Sequence, residues 1–276
     1  MDHILPIHPI PRMQNAFEES IMDFTDPASA KPKERTDAAT RRNLLLNDAP
    51  SATTDPRSLC CPRPSGARHH SLWKLVSQIA FGVHLLHQQS AKSTQEVVSI
   101  LQAHIDDMDD FLDDTHADLD LAIRDLDQRN DFLRLPLEHG DTFGAMLADP
   151  SFRSDLLQSN KVIERIVFRS SLANNAALRD VKEGLEATTE LSTYLNLISR
   201  DWTRGDEQLA EVYNMMQNCC GEWLECFAGA QVKSHTLSRS ITQLQATVAQ
   251  VSQHVDAARV EQEVSAFRSY DSLSRR

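Results

Sequence analysis

Side chains able to hold a metal ion are concentrated in two places in this chain. The first holds Asp106, Asp107, Asp109, Asp110, Asp113, Asp114, Asp118, Asp120, Asp125 and Asp127, with His104 and His116 among them. Carboxylates and imidazoles are the ligands of calcium and zinc, but a calcium loop needs a glycine turn that folds its carboxylates around one ion. This stretch has the periodicity of a continuous helix, which splays them. All ten aspartates fall off the apolar stripe, so the sequence implies a solvated acidic face without a metal site, open to docking by basic partners. Cys219, Cys220 and Cys226 form the second group. Zinc sites pair such cysteines with a second Cys or His pair at fixed spacing, and none stands here, so these three read as small buried apolar residues.

Other chemistry is weaker still. His139, Gly140 and Asp141 look like a catalytic fragment, yet spacing fixes no nucleophile or base beside them. Glycine loops that cradle phosphate, His-Glu zinc motifs and nucleophile elbows do not occur, and only eight glycines are present to build loops. The sequence therefore assigns no catalytic, cofactor or metal residue, and an enzyme is the least supported class. Cys60 and Cys61 stand in a proline-rich segment where they can accept lipid.

The formal net charge of −12 argues against nucleic acid and anionic membrane as partners, because both recruit basic surface. Pro6, Pro9 and Pro11 interrupt Met1 to Asn15, so no secretory leader is expected there. Five cysteines, an odd number unevenly placed, fit free thiols in a reducing compartment. The expected location is cytoplasmic, with nuclear compatible.

The elements that position these residues divide near residue 68. Nine of the eleven prolines lie between Pro6 and Pro64, and proline at that density blocks long helices. Residues 1–68 are expected to form a disordered tail that folding can dispense with, in which Asn43 to Leu46 is a patch able to dock on a partner. From Ser71, Leu72, Leu75, Val76, Ile79, Val83 and Leu86 mark an amphipathic helix, too short and too polar to span a membrane. Ser93 and Glu96 make a capping box, which starts a helix with its seam at Val98, Leu101, Ile105, Met108, Leu112, Thr115, Leu119, Ala122, Leu126, Arg129 and Leu133. Pro136 is expected to end it. Two short helices then turn the corner, one capped by Asp141 and one started by Asp149 and Pro150.

A third long helix is expected from Lys161 to Trp202, carrying Val162, Ile163, Ile166, Val167, Leu178, Val181, Leu185, Thr188, Leu191, Leu195, Ile198 and Trp202, with a step from Thr188 to Leu191 that breaks the alternation of three and four. Gly205 and Asp206 supply a stop and a start. The most regular pattern follows: Leu209, Tyr213, Met216, Cys220, Trp223, Phe227, Ala230, Ser234, Leu237, Ile241, Leu244, Val248, Val251, Val255 and Ala258 repeat every 3.5 residues. Such a seam faces partners along its whole length only within a left-handed bundle.

Three stretches resemble uncharacterised fungal helical, coiled-coil proteins with disordered N-terminal tails. They are Leu72-Trp73-Lys74-Leu75-Val76 through Val83-His84-Leu85-Leu86, then Val97 to Asp127, and Leu135-Pro136-Leu137-Glu138-His139-Gly140. The resemblance covers about residues 70–200 and implies a helical architecture; it carries no activity and no site residues.

The expected fold is all-α: an elongated antiparallel bundle of long helices over residues 69–267, with the 71–90 helix alongside, a tail at 1–68 and a flexible end at 268–276. The expected function is a structural or adaptor protein that offers helical surfaces to protein partners. The alternative is a membrane-peripheral protein using the helix at 72–86, with Trp73 at the headgroups. Compared by length, the last helix overhangs its neighbours, which would leave Leu244, Val248, Val251 and Val255 in water and favour pairing with a second copy or a helical partner. Replacing Leu112 or Leu244 by Ala should destabilise the fold by about 2–5 kcal/mol, measured by denaturant unfolding; a loss within experimental error would refute the seam assignment.

Overall fold

The computed structural model describes residues 6–24, 36–47, 67–202 and 207–274. Seven α-helices are present among them: α1 (Gln14–Phe24), α2 (Ala38–Asn47), α3 (Ser71–His87), α4 (Thr94–Glu138), α5 (Gly140–Leu147), α6 (Pro150–Trp202) and α7 (Glu207–Ser274). The all-α bundle expected from the sequence is what forms. Its axis is α7, which packs along α6 on one side and α4 on the other, while α4 and α6 touch each other little.

Hydrogen bonds fix the directions. Tyr213 donates to the Leu195 carbonyl, Asn174 to the Ser234 carbonyl and Asn160 to Ser252, so α6 descends as α7 rises. Trp223 donates to Asp109, Lys233 to Asp120 and Thr247 to Asn130, so α4 and α7 run parallel. On α3, Trp73 donates to Glu183 of α6 and His84 bonds Tyr194, which makes α3 parallel to α6. The long helices therefore alternate in direction, as short connections favour.

The α7 seam is buried without a gap from Tyr213 to Val255. The α6 seam is equally regular, and its members differ from those expected. Asn160, Ile163, Val167, Ser170, Asn174, Ala177, Val181, Gly184, Thr188, Leu191, Leu195, Ile198 and Trp202 alternate at three and four throughout and face inward. The expected slip at Thr188 does not exist: Gly184, and not Leu185, occupies the seam. The cause is space, since a methyl group on Gly184 would lie 2.3 Å from the Phe227 ring and 3.0 Å from Leu72. On α4, Asn130 takes the inward place assigned to Arg129.

Helix ends also differ from expectation. Ser93 caps α4 as anticipated, accepting the Glu96 amide at 3.3 Å. The helix then continues through Pro136 to Glu138. One turn from its end, the missing proline amide removes a single bond, and the His139 amide closes the turn on the Leu135 and Pro136 carbonyls. Asp149 accepts the Ser151 amide at 2.9 Å, but the helix it starts is α6 itself, with no break before Lys161. The α3 terminus uses Gln89 at φ 50°, with the Ser90 amide bonded to Leu85 and the Gln89 amide to Leu86, a Schellman ending. Gly205 and Asp206 lie outside the described residues.

Because α6 starts early and α4 ends late, the expected overhang is covered. Leu244, Val248, Val251 and Val255 are buried, the last two beside Phe143 and Leu147 of α5. Beyond the seam's end, Val260, Val264 and Phe267 are exposed on α7, as Met215 and Val232 are earlier on its outer face.

The proline-rich segment departs from the expected tail in two places, at residues 6–24 and at α2. Pro11 opens a 3-10 turn that leads into α1, and Ile10, Met13, Ala16, Phe17 and Ser20 turn inward, a helical stripe packed on α3. Prolines at 6, 9 and 11 sit ahead of the helix or in its first turn, where a lost amide costs little. Residues 1–5, 25–35 and 48–66, with Cys60 and Cys61, lie outside the described residues.

Gly184→Ala should destabilise the bundle by about 1–3 kcal/mol from overpacking, partly offset by the better helix propensity of Ala. Thermal unfolding checks this, and an unchanged or raised Tm would mean that the Phe227 notch is not tight.

Candidate interaction surface

The acidic stretch of α4 is the most charged feature of the bundle, and it is less solvated than its sequence implied. The reason lies in helix geometry. Seam residues Leu101 to Leu126 face α7 and α3, so the aspartates flank the seam and their carboxylates reach donors on neighbouring helices. Asp109 accepts the Trp223 indole at 2.7 Å, Asp120 pairs with Lys233 at 2.7 Å and Asp127 accepts from Ser240 at 2.6 Å. On the other flank Asp118 and Asp114 meet Arg41, and Asp125 meets Arg42, both arginines coming from α2.

The Arg41 pairing is a fork: Nε lies 2.9 Å from each Asp118 oxygen and Nη2 2.8 Å from Oδ1. Asp125 accepts from Arg42 at 2.7 Å and from Arg129 of its own helix at 2.8 Å. Burial pushes the Asp118 carboxyl up, and the Arg41 charge beside it pulls the other way. Asp37 caps α2 by accepting the Thr40 amide at 2.8 Å, and Arg169 of α6 donates to the Leu45 carbonyl at the other end. A basic segment of the same chain, α2, thus occupies part of the acidic face. Sequence reasoning recognised Asn43 to Leu46 as a docking patch but passed over Arg41 and Arg42. Their adjacency, with Arg42 three and four residues before Leu45 and Leu46, was the signal.

The residues weighed for chemistry are not brought together. His104 is 3.9 Å from Asp107, and the His116 Nε2 bonds the Cys226 carbonyl at 2.9 Å. Among the described residues no three His, Cys, Asp or Glu side chains converge on one point. Cys220 is buried with its thiol directed at the Thr188 carbonyl, 3.6 Å away, and burial pushes its pKa up to about 12. Cys219 and Cys226 are shifted upward by burial and by acidic neighbours, which suppresses the thiolate that nucleophilic chemistry needs. His139 is exposed at the α4–α5 junction.

No family profile, curated protein or solved structure matches this chain. Function is therefore argued from its own surfaces.

A second group of polar contacts holds the N-terminal segment on α3. His8 is buried; its Nδ1 lies 2.8 Å from the Ile10 carbonyl and 3.0 Å from the Ile10 amide, and its Nε2 lies 3.0 Å from the Ser77 carbonyl. Glu19 accepts from Lys74 at 2.7 Å and from His69 at 2.8 Å. Burial alone would raise the Glu19 pKa, but these partners and the Arg68 amide outweigh it and hold it at about 2. Phe17 lies on Phe81 with ring centres 4.4 Å apart.

These shifts set a pH dependence. Burial lowers His8 below its ordinary 6.5, so on acidification the undocked state takes up protons first and docking weakens from about that pH downward. Glu19 adds stability that is present above its ordinary 4.5 and lost as the pH falls toward 2. Amide exchange in α1, corrected for intrinsic rates, should accelerate in two stages as pH drops from neutrality; protection that stays level down to pH 4 would contradict this account.

Proposed function

We propose that this chain is a structural or adaptor protein that presents helical surfaces to protein partners. The observation that carries the reading is the α2–α4 contact, in which an acidic helix face recognises a short basic helix through an Arg41–Asp118 fork and a single Arg42–Asp125 pair. Such a fork gives orientation as well as attraction. The net charge of −12 supports protein partners over nucleic acid. Raised thiol pKa values and the scattering of titratable groups support a non-catalytic role.

The membrane-peripheral alternative draws less support. Among the described residues no helix is long and apolar enough to cross a membrane. The face of α3 that would enter lipid, Leu72, Val76, Ile79, Val83 and Leu86, lies in the bundle core. Trp73, the expected headgroup anchor, donates to Glu183 and stacks under Arg12. A cytoplasmic setting, with nuclear compatible, remains part of the proposal and accords with the free cysteines.

Crosslinking of the full chain in its native cell, followed by identification of attached proteins, tests the reading. A reproducible set of directly crosslinked proteins, with no flotation of the purified chain on phosphatidylcholine–phosphatidylserine vesicles, is expected. Flotation that disappears when Val76 and Val83 are replaced by Asp, without any crosslinked protein, would overturn it in favour of the membrane.

A further inference from the structure

Among the described residues, the bundle has a fourth-helix position, the groove between α4 and α6 opposite α7, which α3 fills at one end and α2 fills further along. The two occupants differ in kind. Seven residues of α3 are buried, including five large aliphatic ones, whereas Arg42 is the buried residue of α2. Leu44 is 47% exposed and Leu46 is partly buried. What holds α2 is charge: Arg41 on Asp118 and Asp114, Arg42 on Asp125.

The fit beneath α2 is incomplete. A cavity of about 60 Å³ opens between Arg41, Arg42 and Leu45 on one side and α4 and α6 on the other. Thr115, Ser170 and Asn174 line it, each no more than 3% exposed, and Thr115 Oγ1, Ser170 Oγ and Asn174 Oδ1 have no hydrogen-bond partner. Arg42 Nε is also unpaired. A space of this size with polar walls has room for water, and a ligand group that bonds these atoms directly would take the water's place. A ligand that kept the two charge pairs and also filled this space would bind the groove better than α2 does.

We propose that the α4–α6 groove is a receptor for a basic, amphipathic helical segment of a protein partner, and that α2 is its resident occupant in cis, displaced when that partner binds. The recognised pattern is read from α2: two adjacent arginines for Asp118 and Asp125, with a leucine three residues beyond the second, the place of Leu45, to lie against the cavity. The proposal deepens the adaptor reading and rests on it. Tethering gives α2 a high effective concentration, so the free groove is a minor state and a trans ligand sees its affinity reduced by that fraction. Screening of the exposed ends of the charge pairs makes the latch weaker in salt.

The test uses the full chain and a fluorescent peptide with the sequence of residues 36–47. Arg41→Glu with Arg42→Glu should release α2 and bind the peptide about ten-fold or more tighter than wild type does. Adding Asp118→Lys and Asp125→Lys to that variant re-forms the pairs with reversed charge and should abolish peptide binding again. Circular dichroism guards against misfolding, with the Arg41→Gln, Arg42→Gln chain as a milder release. Equal peptide affinity in wild type and both released variants would overturn the proposal. So would a wild-type dimer by light scattering that becomes monomeric in the released variants, since α2 would then come from a second copy. Should the peptide result fail while crosslinked partners persist in the cell, the groove proposal falls and the adaptor reading stands; loss of the crosslinked partners alone removes the adaptor reading.

Discussion

The constraint on which the rest of the structure depends is the unbroken apolar seam of α7. Fifteen inward positions from Leu209 to Ala258, all but Ser234 apolar, must be kept from water over about 75 Å of helix at 1.5 Å per residue. One partner helix covers only part of that circumference, so α7 recruits α6 along one flank and α4 along the other. Antiparallel α6 and parallel α4 then follow from connection length: α5 is a tight corner between them, and α6 reaches α7 across four residues. The shape of the molecule is thus set by burying one helix, and α3 and α2 are additions in the groove that this arrangement leaves.

Polar residues inside the seams select the register. An all-apolar interface tolerates sliding by a heptad, because each step restores similar contacts. Here a slide would strip Asn174 from the Ser234 carbonyl and Ser238, Asn160 from Ser252 and Thr247 from Asn130, leaving buried polar groups unpaired. Size adds a second lock. Phe227 enters the notch at Gly184, and Leu101 lies so close to Gly82 that a methyl group there would be 2.9 Å away. These residues are local weaknesses in helix propensity, and they are consistent with one another only in the observed alignment.

This explains what the sequence showed and what it hid. The α7 seam was legible because nearly every member is large and apolar, so periodicity alone reveals it. The α6 seam was partly invisible because Ser170, Asn174, Ala177 and Gly184 are small or polar, and a search for large apolar residues drifts to Leu178 and Leu185 on the shoulder. The end of α4 was misjudged because a rule for proline in helix interiors was applied where only the last turn is affected. The folded part of the N-terminal segment was missed because proline density spoke for the whole of it, although Met13, Ala16, Phe17 and Ser20 keep helical spacing between the prolines. Tertiary context also hid the interaction surface: ten aspartates read as solvent-facing by spacing, and only the fold brings Arg41 and Arg42 to three of them.

The same contrast separates the two ways in which this chain fastens segments to its bundle. Residues 6–24 are fixed by apolar burial, with Met13 and Phe17 enclosed against α3 and His8 bonded within. Burial of that kind is not screened by salt, and the Glu19 pairs with Lys74 and His69 at its edge add a dependence on pH. The α2 segment is fixed by guanidinium–carboxylate pairs at the edge of a partly filled groove, whose attraction is shared with any other cation of the right spacing. Ion pairs whose arginines are largely enclosed and whose carboxylates reach the surface add little net stability once desolvation is met, yet they discriminate well between orientations and between charges. A segment that must stay in place is best held by the first means, and one that must yield to a competitor by the second. Both means occur side by side here, on the two faces that α3 and α4 offer to the same N-terminal stretch of chain.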